Sequence, residues 1–350
     1  MRRHLSGWLG LLLLIAGCRH PIRTDSVLHI AEPVAANVTA DLQPLGNRGP
    51  LMTMVVDGQA DCGTPRVAIV DIDGLLLNVN MTGPYSACEN PVAMLREKLD
   101  AVRRDPQVCA VVLRINSPGG GVAATDIMWQ ELQSFRARCH LPMVACLMDV
   151  STGGGYYLAT AADAICAYPG TVAGGIGVIL NCYNLQDTMQ QYNVVGTPIK
   201  AGENIDMGSV IAPMKPETRE WLQQMANDYH RRFQDVVRKR RPRVAASDET
   251  NFDGRVFTAG QALERGLIDQ IGSLEDAVRT AREMARQDSA CVIMYHRQTD
   301  PARTPYAVTA NSPSLNNLIP LSLPGIERSR LPTFLYLWQL DPTLERAKTP

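Results

Sequence analysis

The chain has 350 residues, with 34 lysines and arginines against 35 aspartates and glutamates, and a formal net charge of −1. This balance gives no reason to expect a nucleic-acid partner, since the one basic run, residues 238–243, closes an apparent helix where cations suit the helix dipole. The length allows one large domain or two small ones. After the first 18 residues, no stretch has the ~18 consecutive apolar residues that a spanning helix needs.

The N-terminus predicts secretion. Arg2 and Arg3 precede a mostly apolar stretch at 5–15, which is too short to span a bilayer, and small residues then lead to Cys18. This run resembles the lipobox of bacterial lipoproteins, which implies that residues 1–17 are a signal peptide and that Cys18 is lipidated. The alternative is a plain signal peptide with a chance cysteine. We expect a bacterial envelope protein that is anchored by lipid and faces the periplasm or the exterior.

The nine cysteines do not form a visible disulfide pattern. Cys62 and Cys88 flank the first predicted strand, and they could pair in an oxidising compartment. Cys109, Cys146 and Cys166 lie in apolar, strand-like runs and are interpreted as small core residues. No CxxC motif or Cys/His cluster suggests a metal, and the sequence predicts no cofactor.

Residues 18–63 carry no sustained period and predict a tether with an irregular lead-in. Beyond them, buried-type strands alternate with helical patterns, which indicates βαβ units and a mostly parallel sheet. The predicted strands are 67–72, 108–115, 143–148 and 164–167, and the helices between them are 91–104, 125–138 and 156–162.

The second half of the chain predicts three more helices. Residues 216–240 have apolar side chains at helical spacing, and Thr258 with Gln261 forms a capping box. Ser273 opens the last of the three helices. A C-terminal extension, 291–350, is rich in Pro and Ser, although residues 334–338 are apolar enough to dock on another surface.

Two glycine turns at strand ends are candidates for chemistry. Gly119 and Gly120 follow a buried strand, and backbone N–H groups in such a turn can converge on a developing oxyanion. A tight turn that needs positive φ is the other explanation, and it is compatible with the first. Residues 153–155 form a sharp strand-to-helix junction, the kind that presents a nucleophile.

Three segments in order resemble the SppA (signal peptide peptidase) family of serine peptidases, which have the ClpP/crotonase fold. They are Leu113–Gly120, Gly154–Asp163 with 174–178, and Asp253–Phe257 with 260–262 and 266–269. The resemblance implies an α/β domain at 64–290 built from repeated ββα/βαβ units with a mostly parallel sheet. It also implies a ring-like homo-oligomer.

The chain departs from the family at both catalytic positions. The family serine directly precedes the Gly-Gly-Tyr run, which places its position at Gly153. The family lysine directly precedes an aspartate in a segment resembling 199–207, which places its position at Ile205. Glycine has no nucleophile and isoleucine cannot accept a proton, so the loss costs several orders of magnitude in rate. Gly119, Gly120 and Gly154 remain as oxyanion and substrate-binding candidates.

Three residues near these positions are weak substitutes. Thr152 adjoins the lost nucleophile but should face away, since adjacent side chains in a strand point to opposite faces. Ser151 keeps the parity but sits roughly 6–7 Å further back. Lys200 lies five residues before the base position.

Three functions follow from these observations. The first is a family member without peptidase chemistry that binds peptides or envelope proteins in a retained groove. The second is an active envelope serine endopeptidase, with a relocated nucleophile or a shared site supplied by another subunit, acting on signal peptides or misfolded proteins. The third is a crotonase-like acyl-thioester enzyme, against which the signal sequence argues because coenzyme A thioesters are cytoplasmic.

Overall fold

Strands and helices alternate along most of the chain in the computed structural model, which describes residues 23–27, 37–41, 49–58, 64–80, 89–245, 249–297, 302–307 and 334–338. Strands β1 (Arg23–Val27) and β2 (Asn37–Asp41) form an antiparallel pair that belongs to a separate compact unit, residues 1–46. The other elements belong to the unit that begins at residue 47.

The first elements of this unit carry the glycine turns. They are β3 (Met52–Asp57), β4 (Arg66–Leu76), α1 (Pro91–Arg104), β5 (Val108–Gly121), α2 (Val122–Cys139), β6 (Met143–Thr152), α3 (Gly154–Ala159), β7 (Ala164–Ala167) and β8 (Val172–Gly174). The later elements are α4 (Gln186–Gln191), α5 (Pro216–Arg240), α6 (Pro242–Ala245), a 3₁₀ turn (Glu249–Phe252), β9 (Val256–Thr258), α7 (Ala259–Glu264), β10 (Gln270–Ile271), α8 (Leu274–Met284), β11 (Cys291–His296) and β12 (Leu335–Leu337).

The main sheet has the order β10-β7-β6-β5-β4-β11-β3. Along this order, neighbours are parallel from β10 to β11, and β3 pairs antiparallel with β11. Off this order, β8 pairs parallel with β6, β9 pairs antiparallel with β8, and β12 pairs antiparallel with β5. The α/β class with a mostly parallel sheet is therefore confirmed. Parallel pairing also brings the carboxyl ends of β5 and β6, where the two glycine turns lie, to the same edge.

Both faces of this sheet are covered, which explains why its strands are continuous apolar runs. Val70 and Leu113 lie in a core shared with helices α1, α2 and α5, while Ile69 and Val112 pack on the opposite face with α8. All four side chains are completely buried. The central strands are thereby rigid supports for the turns at their ends.

The sheet extends beyond the expected domain bounds of 64–290. Strand β11 pairs with β4, and β3 pairs with β11, so residues from both the predicted tether and the predicted extension complete it. The sequence predicts an irregular lead-in because residues 52–57 carry no sustained period. These residues nevertheless form strand β3, because they pair with the distant strand β11. The domain limits drawn from the sequence are too narrow at both ends.

Local signals were more successful at helix ends. The capping boxes at Thr258 and Ser273 are both present, and Asn90 caps α1 ahead of Pro91. Cys146 and Cys166 are completely buried, as predicted for core residues, and Cys109 is half-buried. Cys18, Cys62 and Cys88 lie outside the described residues. Across the described ranges, no helix combines the length and apolar character needed to cross a membrane.

Four charged side chains are buried beneath the sheet edge that carries the glycine turns. The Lys98 Nζ is 2.6 Å from an Asp71 carboxylate oxygen, and Arg114 donates to the backbone carbonyls of Pro305 and Ala307. The nearest Asp73 oxygen to Arg114 is 3.6 Å away, and it has no hydrogen-bond partner among the described residues. Burial, followed by repulsion from Asp71, raises the pKa of Asp73 to about 6.

Replacing Asp73 should stabilise the protein above pH 6. The raised pKa means that the folded state favours the protonated carboxyl. This preference adds to the free energy of unfolding at low pH, and the added stability is lost as pH rises through about 6. Asp73→Asn mimics the neutral form, so its free energy of unfolding at pH 8 should exceed the wild type by about 1–3 kcal/mol, with the gap closing toward pH 4. Urea denaturation at both pH values measures this. The control is Asp235→Asn on the exposed surface of α5, and an equal effect at both pH values would contradict the assignment.

Candidate functional site

The end of β5 forms a turn that is held from two sides. The hydroxyl of Ser117 donates to the Gly74 carbonyl at 2.6 Å and accepts the Gly119 N–H at 3.1 Å. Gly119 has φ +110°, a conformation that side chains rarely adopt. The turn is thus fixed to strand β4, and it presents backbone groups rather than side chains.

The end of β6 is a sharp strand-to-helix junction. Gly153 has φ 51° and ψ −120°, and helix α3 begins at the next residue. Its N–H donates to the Gly174 carbonyl, and its carbonyl accepts the Tyr157 N–H, both at 2.9 Å. This is the backbone form of a nucleophile-bearing turn without a nucleophilic side chain.

The two turns face each other. A Cβ atom placed on Gly119 would lie 2.7 Å from the Gly154 nitrogen, so these backbones approach more closely than any side chain would allow. Gly119, Gly120, Gly153 and Gly154 therefore come together, as the sequence suggested. N–H groups of turns so placed are the donors that an oxyanion requires.

A strand from the C-terminal region fills the slot between these turns and residue Ile179. Strand β12 pairs antiparallel with the end of β5, where Val122 donates to the Phe334 carbonyl at 3.2 Å and Trp338 donates to the Pro118 carbonyl at 3.0 Å. On its other edge, Leu335 exchanges two hydrogen bonds with Ile179, of 3.0 and 3.1 Å. We call the slot between residues 118–122 and Ile179 the groove, and residues 334–338 the tail strand.

The tail strand places a backbone carbonyl in the space of the missing side chain. A Cβ on Gly153 would lie 2.3 Å from the Tyr336 carbonyl oxygen and 2.7 Å from its carbon, and a Cβ on Gly119 would lie 1.8 Å from the same oxygen. Contacts under 3.0 Å are not made by real Cβ atoms. The docked tail strand and a side chain at position 153 therefore exclude each other.

The Tyr336 side chain is completely buried in an aromatic pocket. Its ring stacks on Tyr157 at 5.4 Å between centroids and lies 4.9 Å from the ring of Phe233. Its hydroxyl donates to the Tyr229 carbonyl at 2.8 Å. Burial raises the pKa of Tyr336 and also that of Tyr157, the latter to about 12. The pocket thus favours a neutral phenol.

The pocket wall is itself held in place. The Tyr157 hydroxyl donates to Asp126 at 3.2 Å, the same carboxylate oxygen that accepts from Arg232 at 2.7 Å. Sequence reasoning missed Tyr336, Tyr157 and Phe233 as site residues. The available signal was the apolar run at 334–338. It predicts docking on another surface but does not indicate which one.

The weak substitutes for the dyad are not assembled into one. Thr152 donates to the Pro118 carbonyl at 3.3 Å, and the Ser151 hydroxyl is buried without a hydrogen-bond partner among the described residues. Lys200 pairs with Asp206, with Nζ–oxygen distances of 2.8 and 2.9 Å. Ile205 is 73% exposed. Within the described ranges, no group of three or more His, Cys, Asp or Glu side chains could hold a metal ion.

Comparison with known proteins gives a consistent family. The model of peptidase family S49 matches residues 136–288. A putative signal peptide peptidase SppA from Enterococcus faecium is 27% identical over 234 residues, which cover 67% of this chain and 68% of the relative. The chloroplastic serine protease SPPA of Arabidopsis thaliana is 32% identical over 226 residues, and Protease 4 of Salmonella typhi is 26% identical over 290. Residues 136–288 match a peptidase S49 domain, and these relatives support the SppA family of serine peptidases.

The match to some SppA relatives is partial. The aligned segments cover 64% of this chain but 33% of the Arabidopsis protein, and 83% of this chain but 44% of the Salmonella protein. A solved structure of a membrane-bound stomatin-specific protease, in complex with a substrate peptide, is 15% identical. The superposed region covers 62% of this chain and 80% of that protein's chain, with a TM-score of 0.39.

The SppA resemblance assigns the nucleophile position to the junction already described. Gly153 lies in a sharp strand-to-helix turn, and the Tyr336 carbonyl occupies the space that a side chain there would take. The base position, Ile205, lies in an exposed turn region in which the Ile205 N–H donates to Gly202 at 3.4 Å.

A methyl group at Gly153 should release the tail strand. Gly153→Ala brings a Cβ to 2.3 Å from the Tyr336 carbonyl oxygen. Thermolysin should then cleave within 334–338 at least about tenfold faster than in the wild type, because such an overlap costs more than about 1.4 kcal/mol. Mass spectrometry of the C-terminal fragments measures the rate.

The matched control is Gly202→Ala. Gly202 also has positive φ, +93°, but a Cβ there meets nothing within 4 Å. It therefore carries the backbone strain without the overlap. Equal cleavage rates in Gly153→Ala and wild type, with both proteins folded by circular dichroism, would contradict the overlap.

Proposed function

We propose that this chain is a lipid-anchored envelope protein of the SppA family that binds extended polypeptide segments in the groove without cleaving them. The observation that carries the proposal is the tail strand itself, an extended segment hydrogen-bonded on both edges with a carbonyl against Gly153. It lies across Gly153, the position that the family resemblance assigns to the nucleophile.

Loss of cleavage is supported by the chemistry around Gly153. A serine peptidase needs a hydroxyl within hydrogen-bond reach of a base, about 2.6–3.2 Å. The Ser151 hydroxyl has no such partner among the described residues, and Lys200 is held in an ion pair with Asp206. Both observations, which concern the described part of the chain, support a junction without an activated nucleophile.

Polypeptide binding is supported by the two backbone edges that line the groove. Residues 118–122 and Ile179 offer N–H and carbonyl groups on opposite sides of the slot, and any extended chain can pair with them regardless of sequence. Main-chain pairing supplies affinity in this mode, and pockets for alternate side chains supply specificity. The groove has both elements.

A fluorophosphonate probe tests the absence of peptidase chemistry. The wild type should remain unlabelled and should not cleave casein or signal peptides, because neither the Ser151 nor the Thr152 hydroxyl is hydrogen-bonded to a basic side chain among the described residues. The comparison protein is the triple variant Gly153→Ser/Ile205→Lys/Tyr336→Ala, in which the third change vacates the groove. Labelling of this variant would show that restoring the two side chains restores a reactive serine. Labelling of the wild type that disappears in Ser151→Ala or Thr152→Ala would establish a relocated nucleophile instead.

Lipid anchoring at Cys18 is part of the proposal, and it rests on the N-terminal sequence alone because these residues lie outside the described ranges. Expressed in a bacterial host, the wild type should partition into detergent and carry the mass of a diacylglycerol. Cys18→Ser should lose both properties. Unchanged mass and partitioning in Cys18→Ser would contradict this part of the proposal.

Self-association remains a prediction from the family resemblance. The sequence offers helix α5 and the apolar run 334–338 as candidate contact surfaces, and we add an exposed apolar region between residues 192 and 221. Its most exposed side chains are those of Tyr192, Val195, Ile199, Ile205 and Trp221.

A further inference from the structure

A short segment on the α8 side of the sheet, residues 302–307, is anchored by one buried arginine. Arg114 of β5 donates to the Pro305 carbonyl at 2.5 Å and to the Ala307 carbonyl at 2.7 Å, and its side chain is 3% exposed. At the start of the segment, Ala302 is buried in the core that β4 and β5 share with α8. We call residues 302–307 the strap.

Asp73 lies beside this anchor and has one carboxylate oxygen without a hydrogen bond. This oxygen, Oδ2, is buried, has no partner among the described residues, and is 3.6 Å from Nη2 of Arg114. The same nitrogen donates to the Ala307 carbonyl of the strap. While the strap is docked, Arg114 therefore gives these two hydrogen bonds to neutral carbonyls and lies beyond hydrogen-bond distance of the Asp73 oxygen.

Three charged groups in the described part of the chain act on Asp73. Asp71 on the same strand repels its ionised form, while Arg114 on β5 and Lys98 on α1 attract it. Lys98 is itself paired with Asp71 at 2.6 Å. Burial and the charge of Asp71 outweigh the two cations, which is why the pKa of Asp73 is raised from its ordinary 3.8 to about 6.

Release of the strap would give the ionised carboxylate its missing partners. It frees the two Arg114 nitrogens to donate to Asp73 and admits water, and both changes favour the ionised form. The ionisable side chains of the strap, Arg303 and Tyr306, are exposed and place no further charge in the buried cluster. We propose that the strap is a pH-sensitive cover, docked while Asp73 is protonated and released when Asp73 ionises. This inference does not depend on whether the chain binds or cleaves peptides.

The direction of the pH effect follows from proton linkage. The docked form, in which the pKa of Asp73 is about 6, holds the proton more tightly than the released form, in which solvation returns the pKa toward 3.8. Rising pH therefore favours release, and the effect levels off once both forms are ionised. With these two pKa values, the ratio of released to docked strap rises about tenfold between pH 5 and pH 8.

Hydrogen exchange with mass spectrometry on the full chain measures opening of the strap, after correction for the intrinsic pH dependence of amide exchange. In the wild type, a peptide covering 302–307 should exchange about tenfold faster at pH 8 than at pH 5. Peptides from 108–121 in β5 should show no such rise, because only the strap is released. Asp73→Asn keeps the shape of the side chain but cannot ionise, so its strap should show no rise between the two pH values.

Two further variants complete the experiment. The matched control is Asp235→Asn, the same change on the exposed surface of α5, and it should keep the wild-type rise. Arg114→Lys tests the anchor, because one ammonium group does not reproduce the fork geometry that holds both carbonyls. Its strap should exchange at least about tenfold faster than that of the wild type already at pH 5, with folding checked by circular dichroism.

The outcomes decide the inference without reference to the groove. Equal corrected exchange of the wild-type strap at pH 5 and pH 8 would overturn it, and so would a rise that persists in Asp73→Asn. A rise shared by β5 would show global unfolding and would overturn a local release. Wild-type protection of the strap in folded Arg114→Lys would overturn the anchoring role of Arg114. Peptide binding and cleavage are decided separately, by the fluorophosphonate assay.

Discussion

The carbonyl group of Tyr336 lies against both glycine turns, with its oxygen 1.8 Å from the place of a Cβ on Gly119 and 2.3 Å from that on Gly153. Both approaches require the absence of a side chain. The geometry of the site therefore depends on glycine at two strand ends and on a backbone carbonyl that fills the vacated space. With this backbone, a serine at position 153 and a docked tail strand cannot be present together, because the serine Cβ would overlap the Tyr336 carbonyl.

The parallel sheet is what brings these groups together. Strands β5 and β6 are adjacent and parallel, so their carboxyl ends share an edge, and Ser117 ties the first turn to β4. Burial of Tyr336 contributes roughly 3–5 kcal/mol. Ordering each tail residue costs about 1–2 kcal/mol, so the backbone pairing on both edges is needed to hold the strand. The net free energy of docking is therefore a small difference between large terms.

The sequence predicted the elements whose signals are local. Continuous apolar strands at 108–115 and 143–148, the helix at 216–240 and both capping boxes follow from periodicity and end signals, and so does the parallel sheet. The glycine turns were recognised from residue type and order. The assignment of the dyad positions to Gly153 and Ile205 rests on resemblance to the SppA pattern and stays a prediction.

The remaining features depend on pairing between distant segments. Residues 52–57 and 291–296 enter the sheet beside each other, although neither segment encodes its partner. Tyr336 meets Tyr157 and Phe233 from three separate elements, and nothing in the apolar run 334–338 names that pocket. The pKa of Asp73 is likewise set by burial and by Asp71, which only the folded chain provides.

A crystal structure of the full wild-type chain, at a resolution that shows carbonyl orientation, is the most direct measurement of the central claim. It should show the tail strand paired with residues 118–122, with the Tyr336 carbonyl in van der Waals contact with Gly153 and its ring between Tyr157 and Phe233. An empty groove, or a hydroxyl and an amine meeting at Gly153 in place of the tail strand, would contradict the account.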